Sequence, residues 1–128
     1  MTHLVEIFIL ALLAIVFLQS GIDKIVDWKG NLGWLKGHFA QTPIKNLIPF
    51  SLGWITLLEL SSGITAILGI ISLFLSGDKC LATTSAILSA VTFLFLFLGQ
   101  RLAKDYPGAQ TIVIYFVPTM FLLYLLVG

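Results

Sequence analysis

The segment Leu81–Gly99 reads LATTSAILSAVTFLFLFLG, and its 19 residues include no charged side chain. An α-helix needs about 20 such residues to cross the roughly 30 Å hydrocarbon core of a bilayer. Backbone polar groups in lipid must be hydrogen-bonded within the segment, which a helix achieves. A membrane β-strand is disfavoured, because barrel strands are shorter and alternate polar with apolar residues. This segment therefore predicts a membrane-spanning helix.

Three further apolar stretches of similar length accompany this segment. We expect four spans, at about residues 4–22, 48–75, 81–99 and 109–127. The chain of 128 residues is 59% hydrophobic and only 10% charged, with a mean hydropathy of +1.06. Ordinary soluble chains are about 45–50% apolar and about 25% charged. Residues 1–128 are therefore predicted to form one transmembrane domain, an all-α integral membrane bundle of four helices.

The same composition excludes several classes of function. A net charge of +1 provides no basic surface for nucleic acid. The single cysteine, Cys80, excludes a disulfide framework and a cysteine-rich metal site. Both histidines, His3 and His38, fall outside the four spans, which excludes a haem held between two histidines in the bundle. We therefore expect no catalytic residues, no metal and no resident cofactor, with a quinone as the one ligand left open.

The basic residues predict the orientation of the chain. The two loops on one side of the bundle contain six of the seven, which are Lys24, Lys29, Lys36, Lys45, Arg101 and Lys104, whereas the other side contains only Lys79. The positive-inside rule places the basic loops in the cytoplasm. We therefore expect a multi-pass protein of the inner membrane with both termini on the periplasmic side.

The loop between the first two spans carries a helical pattern of its own. One apolar stripe with steps of three and four residues runs through Ile25, Trp28, Leu32, Leu35 and Phe39. This pattern predicts an amphipathic helix in the membrane interface over residues 25–40, ended by Pro43 and Pro49. The helix is either a surface anchor or a flap that docks a partner or gates a substrate.

Small residues predict where the helices pack, because close backbone approach drives helix association in lipid. In the third span these are Ala82, Ala86 and Ala90, and the earlier spans contribute Gly21, Gly63 and Gly69. The run Phe93–Leu98, which alternates Phe and Leu, is expected to face lipid.

Glu59 is the strongest candidate for a functional residue. It lies about 15 Å into the second span, near the middle of the membrane, where a carboxylate is costly unless it is protonated, paired or hydrated. Its candidate partners are Thr56 and Ser62 on its own helix, with Gln19 and Lys24 on the first. Two readings stay open. Glu59 either joins helices by hydrogen bonds or handles protons, a quinone or another ligand.

Three segments of the chain resemble the DoxX family of small four-helix membrane proteins. Residues 17–24, FLQSGIDK, resemble the F-x-x-S-G-x-x-K signature that ends the first helix of the family. Residues 58–63, LELSSG, with Gly69, resemble its E-x-x-x-G…G element, and residues 100–109, QRLAKDYPGA, resemble its third loop. The chain departs from the family at Leu10, where many members carry an arginine.

The resemblance implies a bacterial inner-membrane protein associated with redox systems. Relatives include a subunit of thiosulfate:quinone oxidoreductase, a maturation protein of methylamine dehydrogenase and members of oxidant-defence complexes. We expect an accessory or assembly subunit in contact with the lipid bilayer and with other inner-membrane subunits or further copies of itself. One alternative is a small quinone- or proton-handling unit centred on Glu59, and another is a purely structural, lipid-facing subunit.

Overall fold

A computed structural model describes residues 3–40, 42 and 45–127, and all its regular elements are helices. Four helices are long and apolar enough to cross a membrane, which confirms the predicted all-α four-helix bundle. A fifth, shorter helix follows the first, and a single 3-10 turn at Lys45–Leu47 precedes the third. The helices are α1 Leu4–Val26, α2 Trp28–His38, α3 Ile48–Leu75, α4 Cys80–Leu102 and α5 Tyr106–Val127.

The long helices coincide with the expected spans or extend beyond them. The predicted limits of the second span, 48 and 75, are those of α3, whereas α1 continues to Val26 and α4 to Leu102. Apolar composition marks the hydrocarbon, but hydrogen bonding along a helix continues into the interface, where charged residues are tolerated. The Asp105 carboxylate accepts a hydrogen bond from the Gly108 N–H at 3.1 Å, an N-terminal cap that starts α5 earlier than its apolar residues indicate.

Glycines allow the spanning helices to pack antiparallel at backbone distance. A Cβ at Gly69 would lie 2.8 Å from the Cα of Ala82, so α3 and α4 touch there without an intervening side chain. A Cβ at Gly63 would lie 3.2 Å from the backbone nitrogen of Leu18, which brings α1 equally close to α3. The fourth spanning helix, α5, packs mainly on α4 and closes the bundle against α1.

The register of these contacts shows that α1 ends early relative to α3. Because Leu18 lies against Gly63 and Gly21 against Leu60, the last residue of α1, Val26, is level with about residue 55. The first seven residues of α3, about two turns, therefore extend beyond the end of α1.

The short helix α2 occupies this level and crosses the pair formed by α3 and α4. Trp28, at its start, approaches Gly53 on α3, and Phe39, just after its end, approaches Gly99 on α4. The Gly69–Ala82 contact sets Gly53 and Gly99 at nearly the same height, so α2 runs across the two helices. The helix covers 28–38 of the predicted interfacial segment 25–40, because residues 25 and 26 still belong to α1. Pro43 lies outside the described residues.

The centre of the bundle combines large apolar side chains with hydroxyl groups. The tilted rings of Phe17 and Phe93 have centroids 4.8 Å apart, and the fully buried Leu10 belongs to the same core cluster. Ser62, Ser85, Ser89, Thr92 and Thr119 are fully buried as well. Most of these hydroxyls bond to backbone carbonyls or to each other, which is how polar groups are satisfied inside a helical membrane bundle.

Two expectations about α4 need correction. Ala82 and Ala86 are fully buried, but Ala90 is only half-buried. A repeat of four residues drifts by about 40° around the helix at each step, so the packed face continues through Ser89 and Phe93 instead. For the same reason the Phe93–Leu98 run does not face lipid as a whole. Phe93 is buried, and Leu96 packs against the core.

Candidate functional site

An ion pair between α1 and α3 forms the centre of the candidate site. The Lys24 Nζ lies 2.8 Å from Glu59 Oε1, and the Glu59 side chain is only 2% exposed. The same ammonium donates a hydrogen bond to Ser20 Oγ at 2.7 Å. The contact with Oε1 lacks hydrogen-bond geometry and is an ion pair held by charge and proximity. An ammonium has three N–H groups, so Lys24 can still donate to a further acceptor.

The C-terminal end of α1 and the middle of α3 meet at this pair, because the contact of Leu18 with Gly63 sets the register between the two helices. Glu59 lies near the centre of the 28-residue α3, whereas Lys24 lies in the last turn of α1. A lysine so placed can reach inward with its long apolar stem and still lie close to the interface. Lys24 therefore supplies a cation to Glu59 from the last turn of α1, and Leu10, deeper in the same helix, remains part of the apolar core.

The other polar residues expected around Glu59 are directed elsewhere. The Thr56 hydroxyl donates to the Leu52 carbonyl of its own helix at 2.7 Å. Ser62 Oγ lies 3.4 Å from Thr92 Oγ1, which ties α3 to α4. Gln19 is exposed on the outer surface of α1 and does not join the site. Ser20, which was not among the expected partners, takes the place expected for Gln19. The S-G pair in residues 17–24 is the only sequence signal for it.

A large apolar cavity adjoins the ion pair. It has a volume of about 520 Å³ and lies where α1 ends, between α2 and the facing ends of α3 and α4. Its polar lining residues are Lys24, His38, Ser51 and Gln100. Its apolar lining residues are Trp34, Leu35, Phe39, Ile48, Phe50, Leu52, Trp54, Ile55, Phe95, Leu96, Leu98 and Leu102, with Gly99. A volume of this size, mostly apolar with a few converging polar groups, is typical of a small-molecule site.

His38 connects α2 with the end of α4 and with the turn that follows α4. Its Nε2 lies 3.3 Å from Gln100 Oε1 and 3.7 Å from Asp105 Oδ2. Its ring stacks on Trp34, with centroids 4.6 Å apart. These contacts place an aromatic pair and a hydrogen-bonding ring at the wall of the cavity. The spacing of Trp34 and His38, four residues apart on a helix, is the one sequence signal that predicts their contact.

The cavity itself was not predictable from residue spacing, because it results from unequal helix lengths and from the path of α2. Within the described part of the chain, no cluster of three His, Cys, Asp or Glu side chains that could hold a metal ion is found.

The fold and the site together define the general class of the protein. Four apolar spanning helices identify a multi-pass membrane protein whose surface contacts the lipid bilayer. Comparison with protein-family models, with curated proteins and with solved structures finds no match to the chain. The likeness to the DoxX family therefore rests on the three sequence segments alone.

Proposed function

We propose that the chain is a DoxX-like bacterial inner-membrane protein that binds a quinone-class ligand and serves as an accessory unit of a membrane redox complex. The observation that carries this proposal is the 520 Å³ cavity beside the Lys24–Glu59 pair. The cytoplasmic position of the basic loops and the periplasmic position of both termini are part of the proposal.

A quinone matches the chemistry of the cavity wall. Its ring carries carbonyl oxygens that accept hydrogen bonds, and the Lys24 ammonium has an N–H to offer at the lining of the cavity. The Trp34 and Trp54 rings provide flat apolar surfaces for a planar ring. A long apolar tail would leave between the exposed side chains of Phe50 and Leu98, toward the bilayer.

The buried carboxylate supports a proton-handling role in the same site. Reduction of a quinone to a quinol takes up two electrons and two protons. The two electrons would come from the redox centre of the partner enzyme. The two protons would be taken up from water and passed through Glu59 and Lys24 to the two ring oxygens. A carboxylate kept at such a depth costs more desolvation than a neutral amide, which favours a role that needs ionisation.

Binding of a short-chain quinone to the purified protein tests the ligand. Quenching of tryptophan fluorescence reports occupancy, because Trp34 and Trp54 line the cavity. Ser51→Phe fills the cavity without touching the ion pair and should weaken binding at least about tenfold, equivalent to about 1.4 kcal/mol. Ile64→Phe, at an exposed position of the same helix, is the matched control and should bind as the parent does.

Absence of quinone binding by the parent protein, or equal binding by the Ser51→Phe variant, would overturn the ligand assignment. The accessory role is tested separately by isolation from native membranes in a mild detergent. A stable complex whose absorbance shows a flavin or haem partner supports it, and a species that contains only this chain contradicts it.

A further inference from the structure

The outer face of α1 carries an amide among apolar side chains. Gln19 is exposed on this face, and its neighbours above and below, Ile15 and Ile22, are 64% and 52% exposed. Leu12 and Phe8 continue the same face toward the start of the helix. Among the residues that the structure describes, no side-chain hydrogen bond involves Gln19, and the neighbouring Ser20 is used by Lys24.

The depth of Gln19 makes this exposure costly. The amide lies one helical turn, about 6 Å, further into the span than Asp23, the first charged residue on that side. Leu18, next to it, packs against Gly63 in the central part of α3. Lipid acyl chains offer no hydrogen bonds, so an amide at this position favours contact with another polar group.

We infer that a second copy of this chain packs against the outer face of α1, with the two Gln19 side chains hydrogen-bonded to each other. Copies in one membrane have the same orientation, so a two-fold axis along the membrane normal places Gln19 opposite its own equivalent. A primary amide has both donors and an acceptor, and two amides related by such an axis satisfy each other. Two-fold symmetric dimers are the commonest assemblies of identical soluble chains.

The charges at the end of α1 determine where the two helices approach most closely. A symmetric contact brings the two Asp23 carboxylates near each other, and their repulsion separates the helices at that end. The closest approach therefore lies between Ile15 and Ile22, with Gln19 at its centre. The cavity is on the other side of α1, toward α3 and α4, and stays accessible in this dimer. The inference is independent of the proposed ligand.

Disulfide cross-linking in native membranes tests the contact. With Cys80→Ser as the background, Ile15→Cys and Ile22→Cys should each give a cross-linked dimer under copper-phenanthroline oxidation. Val117→Cys is the control, because it is 62% exposed on the outer surface of α5. It should remain monomeric. No cross-link at α1, or a cross-link at Ile15→Cys to a different protein, would overturn the inference.

The role of the amide is tested by dissociation of the dimer in detergent. Gln19→Leu should raise the dissociation constant at least about fivefold, whereas Gln19→Asn should change it little. Gln110→Leu replaces an exposed amide on α5 that lies nearer to its helix end than Gln19 does, and it should have no effect. Helix content by circular dichroism confirms that each variant is folded. A parent protein that is monomeric in mild detergent, or a Gln19→Leu variant with the parent dissociation constant, would contradict the proposed pairing.

Discussion

At the scale of single residues, Lys24 and Glu59 depend on each other. Each would be an isolated charge in a weakly polar region without its partner, and removal of one member of a buried pair leaves the other uncompensated. The Ser20 hydroxyl fixes the ammonium from its own helix and so limits the freedom of the long lysine side chain. The pair therefore joins α1 to α3 and also sets the charge at the wall of the cavity.

Substitution of Glu59 separates the structural role of this residue from its chemical role. Glu59→Gln retains an oxygen near the Lys24 ammonium and should lower the free energy of unfolding by only about 1 kcal/mol. Glu59→Leu removes every acceptor and should cost about 3 kcal/mol, since Lys24 is left without a counter-charge. Thermal unfolding in detergent measures both. If the carboxylate handles protons, the Gln variant folds but fails to support activity in a strain that depends on this protein.

The double variant Lys24→Met, Glu59→Leu is the control for this interpretation. Two apolar side chains of similar volume remove both charges, so the double variant should be more stable than Glu59→Leu alone. Equal melting temperatures for Glu59→Gln and Glu59→Leu would show that the ion pair contributes nothing to the bundle. Full activity of the Gln variant would exclude a proton-handling role.

At the scale of helices, backbone contact between α3 and α4 determines their separation. The Gly69–Ala82 contact leaves no room for a Cβ, and the neighbouring Ala86 continues the same narrow face. Lipid provides no hydrophobic drive between helices, so this close packing and the buried hydroxyls together stabilise the pair. Loss of the narrow face should therefore separate the helices.

Gly69→Ala tests this contact with a single added methyl group. The new Cβ would lie 2.8 Å from Ala82 Cα, and we expect a loss of about 1–3 kcal/mol in the free energy of unfolding. Gly53→Ala on the same helix is the matched control, because its Cβ would meet only Trp28 at 3.8 Å. The control should be neutral or slightly stabilising, since alanine favours the helix by about 1 kcal/mol. Similar losses in both variants, measured by unfolding in detergent, would refute this packing.

The helices were largely predictable from sequence, but their relative placement was not. The charge-free run at 81–99 and the limits of α3 follow from composition, because lipid requires long apolar helices. The residue of α1 that contacts Glu59 depends on the register between α1 and α3. Gln19 and Lys24 are five residues apart and both were candidates, yet only the packing of Leu18 against Gly63 decides that Lys24 and Ser20 face α3 while Gln19 faces outward. The cavity exists because α3 extends about two turns beyond the end of α1, and no local sequence pattern indicates it.

At the scale of the whole molecule, the basic residues collect at the end that contains α2 and the cavity. We expect a reporter fused after Gly128 to be active in the periplasm and a reporter inserted between Gln100 and Gly108 to be active in the cytoplasm, because basic loops remain on the cytoplasmic side. An alkaline phosphatase and a fluorescent protein measure the two compartments. The opposite pattern would show that the excess of lysine and arginine does not determine the orientation of this bundle.

Because α1 ends early, the two ends of the bundle present different surfaces to the two leaflets of the bilayer. One end of the bundle has four long helices, whereas the other end has three long helices and the short α2, with the exposed rings of Trp34, Phe50 and Trp54 beside the gap. We expect acyl chains of the leaflet at that second end to form part of the wall around the cavity, so that lateral pressure in this leaflet acts on the wall. We therefore expect the chain length and curvature of the surrounding lipid to change how readily the cavity is filled.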